Sequence, residues 1–250
     1  MRQAVRRRWW ITAGVLVSVI ALSLVFVLWP RGAPPATVAD DPPATPLFTI
    51  PYLDVASGSQ VPQAPPATIV ITRVSSHTDI PTRALQAYVL AATLTAQRIP
   101  ACHLTWATLA GVGRVESDHG QHGGDSIGPD GEEATPIIGP ALDGSPGVRR
   151  VPDTDHGALD GDPVWDHAVG PMQFLPSRWR TLGERASGDG RPADPQNIDD
   201  AALTAARYLC ASGDLSVPAT WWAAMYHYNN SVDYGRAVFS AAVAYAQAAS

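Results

Sequence analysis

Hydrophobic residues fall along this chain in three regimes, and each predicts a different element. The first regime is unbroken. Residues 9–29, WWITAGVLVSVIALSLVFVLW, carry no charge over 21 positions, and at 1.5 Å per residue a helix of that length spans about 30 Å, the core of a bilayer. The second regime is sparse. Ten Pro lie between Pro30 and Pro66 among Ala, Thr and Asp, so 30–78 reads as a Pro-rich linker, extended and without a core. One apolar piece within it, Ala67 to Val74, fits either a strand or a segment lying on the domain. The third regime, from Ile80, is periodic. Pro81 suits a first helical turn, and Leu85, Tyr88, Val89, Ala92 and Ala96 recur at spacings of three and four. The IPAC stretch interrupts this pattern, and a second helix is predicted from near His103 to Ser117. It places Leu109, Val112 and Glu116 on one face. Gly111 and Gly113 weaken that helix by about 1 kcal/mol each against Ala, so something is expected to approach its backbone closely.

Residues 118–167 are rich in Gly, Asp and Pro and have no helical period. Loops of such length are commonly binding elements or lids. After the short segment GPMQFLPSRWRTLG the helical pattern returns three times: Ile198 to Ala211 with Asn197 as cap, Pro218 to Tyr228, and a last helix from a Ser231 cap to about Ala249. The fold class is mainly α, a single domain over 79–250 with one long irregular insertion.

Charge orients the apolar run. Arg2, Arg6, Arg7 and Arg8 precede it without an acid, so 1–8 is expected to be a cytoplasmic tail, 9–29 a single-pass plasma-membrane anchor, and the remainder extracytoplasmic. A cleaved signal has a shorter apolar core and a small-residue site; PRGAPPATVADDPP follows here, with cleavage near Ala39 the alternative. Four of the 17 basic residues lie before the run, leaving 13 against 23 acids beyond it. That balance argues against nucleic acid as a partner. Cys102 and Cys210, the two cysteines, fit a disulfide in an oxidising compartment, with two buried thiols as the alternative.

Candidate chemistry centres on Glu116. Of four Glu, the other three (Glu132, Glu133, Glu184) sit among Gly, Pro and polar residues. A carboxyl on an apolar face loses hydration, its charged form is disfavoured, and it becomes a proton donor near neutral pH, as glycosidic cleavage requires. The alternative is a helix-end Glu that caps a backbone group or pairs with Arg114 or another Arg. Four other stretches fail. GDSIG (124–128) lacks the strand and helix of a nucleophile elbow; DTDHGALDGD (153–162) and GDGRPADPQNIDD (188–200) break the calcium-loop spacing; His119-x-x-His122 lacks a zinc frame. No metal and no cofactor is assigned.

LAGVGRVESDHG (109–120), DGDPVWDHAVGPMQFLPSRW (160–179), DPQNIDDAALTAARYLC (194–210) and YHYNNSVDY (226–234) together resemble the lytic murein transglycosylases. The nearest type is the membrane-bound lytic transglycosylase B, in the form found in actinobacteria. The resemblance covers about residues 79–240, with four blocks in the family's order. It implies a lysozyme-like, SLT-type helical fold with a β-hairpin-bearing insertion, and cleavage of the β-1,4 bond between N-acetylmuramic acid and N-acetylglucosamine in peptidoglycan, leaving 1,6-anhydromuramoyl ends. Glu116 matches the family's single catalytic Glu, serving as acid and then as base toward the muramoyl C6 hydroxyl. The resemblance further implies substrate contacts at Ser117, Gln173, Phe174, Tyr228 and Asn229. Phe174 serves equally well as core; Tyr228 and Asn229 are expected to bond Glu116 or the glycan, with Tyr234 as packing. Glycan strands are then the substrate partner. Two rivals remain: a muramidase using water activated by an acid of the 118–167 loop, and a non-catalytic peptidoglycan-binding scaffold whose partners are proteins of cell-wall synthesis or division.

Overall fold

A computed structural model describes residues 67–249. The predicted tail 1–8, the anchor 9–29 and the linker up to residue 66 lie outside the described residues. Among those described, no helix is long and apolar enough to cross a membrane.

Among the described residues seven α-helices make up most of the regular structure: α1 Ala67–His77, α2 Thr82–Arg98, α3 Trp106–Ser117, α4 Pro176–Leu182, α5 Ile198–Cys210, α6 Pro218–Tyr228 and α7 Val232–Ala248. The mainly helical class holds. Of the two readings of Ala67 to Val74, the segment lying on the domain is the one present, since 67–77 is helical and Val74 is buried. In a helix Val74 and Ile71 fall three apart on one stripe against the core, a period that Pro65 and Pro66 just upstream disguise as spacer.

Local sequence sets most boundaries. Thr105 caps α3 by accepting from the Thr108 N–H, Asn197 caps α5 through Asp199 and Asp200, and Ser231 caps α7 through Tyr234. Each supplies an acceptor to N–H groups with no partner inside the helix. Pro176 and Pro218 occupy first turns of α4 and α6, where the missing N–H costs nothing.

Helix α2 packs on α5 and α3, and α3 lies along α7. Tyr88, Leu109, Val112, Leu209, Met225 and Val238 are among the fully buried side chains at their junction. The close approach expected at the α3 glycines is present. A Cβ on Gly111 would lie 2.6 Å from the Val238 carbonyl oxygen of α7, and one on Gly113 would collide with the Tyr88 hydroxyl of α2. Both glycines therefore trade helix propensity for helix contact. Cys102 and Cys210 form a disulfide, with Cα atoms 5.4 Å apart, tying the turn after α2 to the end of α5.

The stretch between α3 and α4 carries no hairpin strands. It has isolated antiparallel bridges, among them Ile127 with Glu133, Asp143 with Arg150 and Val169 with Phe174, which corrects the hairpin expectation. The reason lies in its carboxylates. Those of Asp125, Asp143, Asp153, Asp155, Asp160 and Asp162 each accept from nearby backbone N–H groups. Donors taken up in such turns are lost to a strand ladder.

Candidate active site

Glu116 sits on the last turn of α3, half-buried. The Tyr234 hydroxyl of α7 donates to its Oε1 at 2.7 Å. Lost hydration pushes the carboxyl up to about 7, against the opposing pull of the Tyr234 bond. Neither cause is a second carboxylate. The ion pair with Arg114 does not form: Arg114 turns to Asp79 at 3.1 Å and to Asp118. Asp118 caps α3 in the left-handed region at φ +55°, as fits a solvated loop acid.

The pair of tyrosines behind the acid divides its work. Their rings stack, centroids 6.2 Å apart and planes within 8°. Tyr234 holds Glu116, whereas the Tyr228 hydroxyl donates to the Met172 carbonyl oxygen at 2.8 Å. Burial, then the Glu116 charge, raises both hydroxyls well above their ordinary value, so both stay protonated donors. Tyr234, expected as packing, is thus the partner of the acid, and the Tyr228 hydroxyl bonds the turn at 170–173 rather than Glu116.

That turn is tightly determined. Val169 and Phe174 exchange backbone hydrogen bonds of 2.8 and 3.0 Å, closing a four-residue loop. Gly170 enters it at φ +76°, and a Cβ there would strike the Pro195 carbonyl oxygen, so only glycine fits. Gln173 has φ +47° and spends its amide N–H groups on the Gly170 and Ala168 carbonyls, at 3.0 and 3.4 Å. Its donors are engaged within the loop. Ser117 is buried; its hydroxyl donates to the Pro171 carbonyl oxygen at 2.7 Å and accepts from the Gly120 N–H at 2.8 Å. Ser117 therefore joins α3 to the turn rather than facing a groove. Phe174 is also buried, edge-on to Trp179, Tyr208 and Tyr228, which makes it the core side of the site. Asn229 is exposed at the C-terminal end of α6.

One feature went unread in the sequence, and a second adds a residue outside the 153–162 stretch to two within it. Glu133, placed there among ordinary loop acids, is buried, and neither carboxyl oxygen has a hydrogen-bond partner among the described residues. Burial, with Asp125 and Glu132 nearby, pushes it up to about 8. Asp166 is buried as well and meets Asp153 and Asp155, with one oxygen from each within 4.8 Å of the others. That arrangement has the hard oxygen donors a divalent cation takes, although loop N–H groups already engage these carboxylates. A cleft of about 390 Å³ opens beside the start of the insertion, lined by His122, Asp125, Thr135, Pro136, Ile137 and Ile138; Glu116 does not line it.

The chain matches no protein-family model, no curated protein and no solved structure in three comparisons.

Proposed function

We propose that the chain is a peptidoglycan lytic transglycosylase in which Glu116 is the one acid–base group. The observation that carries this reading is the state of Glu116: half-buried, bound by a neutral tyrosine hydroxyl, and pushed up to about 7 without an arginine or a second carboxylate. Such a group is protonated over much of the neutral range and gives its proton to a leaving glycosidic oxygen. Once ionised, it keeps the Tyr234 bond, which favours the charged form, and can take a proton from an incoming hydroxyl.

A lone carboxyl suits intramolecular closure. Retaining and inverting glycosidases use two carboxylates at set separations. Attack by the muramoyl C6 hydroxyl on C1 instead draws on the high effective concentration of a tethered nucleophile. The bond from C1 to the glycosidic oxygen breaks, the oxygen takes the Glu116 proton, and the C6 hydroxyl proton returns to Glu116 as the anhydro ring forms. Tyr234 holds Glu116 in place. The anchor, the plasma-membrane location and the glycan partner belong to this reading.

Digestion of sacculi with the purified chain, followed by mass spectrometry, tests it. The expected products carry 1,6-anhydromuramic ends and vanish with Glu116→Gln. Reducing muramic ends would establish the muramidase instead, and identical cellular phenotypes for native and Glu116→Gln chains would favour the scaffold.

A further inference from the structure

One buried titratable side chain lies beside the site and has no part in the chemistry above. His119 follows Glu116 by three residues and is fully buried. It has φ +60°, directly after Asp118 at φ +55°. Two consecutive non-glycine residues in the left-handed region are uncommon and persist only where their surroundings hold them. The His119 N–H returns to the Gly113 carbonyl oxygen at 2.9 Å, so this turn is the closure of α3 itself.

The ring completes the closure. Its Nδ1 lies 3.2 Å from the Tyr88 hydroxyl and its Nε2 lies 2.9 Å from the Tyr245 hydroxyl. Tyr245 donates to Asp79 Oδ1 at 2.8 Å. A hydroxyl has one proton, and that of Tyr245 is committed to the carboxylate. His119 must therefore donate from Nε2, which leaves Nδ1 bare to accept from Tyr88. Every proton has one place in the order Tyr88, His119, Tyr245, Asp79. Burial holds the imidazole down to about 4, so this neutral tautomer persists.

The row joins four parts of the fold: Tyr88 on α2, His119 closing α3, Tyr245 on α7 and Asp79 ahead of α2. Tyr245 lies eleven residues beyond Tyr234, about three helical turns, hence on the same face of α7. One face of one helix thus holds Glu116 through Tyr234 and the end of the Glu116 helix through Tyr245. We propose that His119 is a positioning residue for Glu116: its fixed tautomer locks the α3 closure to α7 and keeps the carboxyl in register with Tyr234. The inference rests on Glu116 as the acid and adds the device that holds it. The charged and titratable groups around His119 are Tyr88 from α2, Tyr245 from α7, Asp79 before α2 and Arg114 from α3, with Glu133 of the insertion acting on Tyr88.

With only four Glu in the chain, glutamate labelled with ¹³C at Cδ lets Glu116 be titrated in the full-length protein, its signal assigned through Glu116→Gln. His119→Leu removes both ring bonds, so water reaches the carboxyl; the Glu116 midpoint is expected to fall by roughly one unit from about 7. On soluble glycan strands kcat is expected to drop about tenfold with KM little changed. His119→Asn, which tolerates the left-handed backbone and keeps an acceptor for Tyr88, is expected to restore part of both. If His119→Leu does not fold, Tyr245→Phe cuts the same row without altering α3 and is expected to move the midpoint the same way. A native midpoint in every folded variant overturns the proposal. A midpoint that moves in a chain whose native form cleaves no glycan upholds the positioning and overturns the proposed function instead.

Discussion

Glu116 and Glu133 are both forced out of water, but in regions of different construction. Glu116 ends a regular helix that α7 follows along its length, and it receives a hydroxyl at 2.7 Å. Glu133 lies in the irregular insertion, its carboxyl over Gly120, with no hydrogen-bond partner for either oxygen among the described residues. Burial raises both, to about 7 and about 8. The contrast shows that burial alone makes a carboxyl hold its proton, whereas a fixed hydroxyl on a rigid seam gives that proton a direction. The insertion has spent its acids on its own backbone turns; the helical seam has spent one on a site.

Exchange of each carboxyl for an amide is the strongest way to break this contrast. Glu116→Gln is expected to lower glycan cleavage on the order of a thousandfold, the usual scale for losing a general acid. Glu133→Gln is expected to leave the rate within about twofold. Equal losses, measured as product per unit time on sacculi, would erase the distinction.

The helical frame should depend on its covalent tie next. The Cys102–Cys210 bond closes over a separation of 108 residues, and its reduction is expected to lower stability by roughly 2–4 kcal/mol. Equal denaturation midpoints with and without reductant would count against that dependence.

A smaller effect separates the two acids by pH. The folded Glu133 carboxyl, near 8, holds its proton more tightly than the unfolded one at its ordinary value of about 4.3. Below that value both states are protonated and the group has no effect on stability. Between it and 8 the unfolded state ionises first, so stability falls as pH rises, and the loss is complete above 8. Glu133→Gln is therefore expected to stabilise by on the order of 1–3 kcal/mol at pH 9 and by almost nothing at pH 4. Urea unfolding at the two pH values checks it, and an equal gain at both would contradict it.

The smallest effect concerns the hydroxyl that Glu116 has and Glu133 lacks. Tyr234→Phe removes a bond worth about 1 kcal/mol and is expected to raise the Glu116 midpoint, since that bond favours the charged form. Cleavage is expected to slow several-fold. A midpoint that falls would show that Tyr234 acts on Glu116 by excluding water rather than by stabilising its charge.

Much of this architecture was legible because local rules agree with one another. Asn197, Pro218 and Ser231 mark starts that the structure keeps, and the three-four spacing put Glu116 on the face of Leu109 and Val112. The two glycines announced a close neighbour before Tyr88 and Val238 could be named. What stayed hidden depends on contacts distant in sequence. Tyr234 reads as packing because its hydroxyl meets an acid 118 residues away. Ser117 bonds the Pro171 carbonyl oxygen, Gln173 bonds its own loop, and Phe174, legible equally as core and as substrate contact, sits in a ring cluster. His119 looked like half of a failed metal pattern, and only the fold brings Tyr88 and Tyr245 to its two nitrogens.

The pH dependence of kcat on glycan strands, followed from pH 5 to 9 by release of anhydro ends, bears most directly on a lone carboxyl that works from its protonated form. One descending limb is expected: a plateau at the acid end, half the rate near the Glu116 midpoint of about 7, and little above pH 8. A rate that rises through neutrality, or a descending limb at the ordinary carboxyl value of about 4.3, would contradict it.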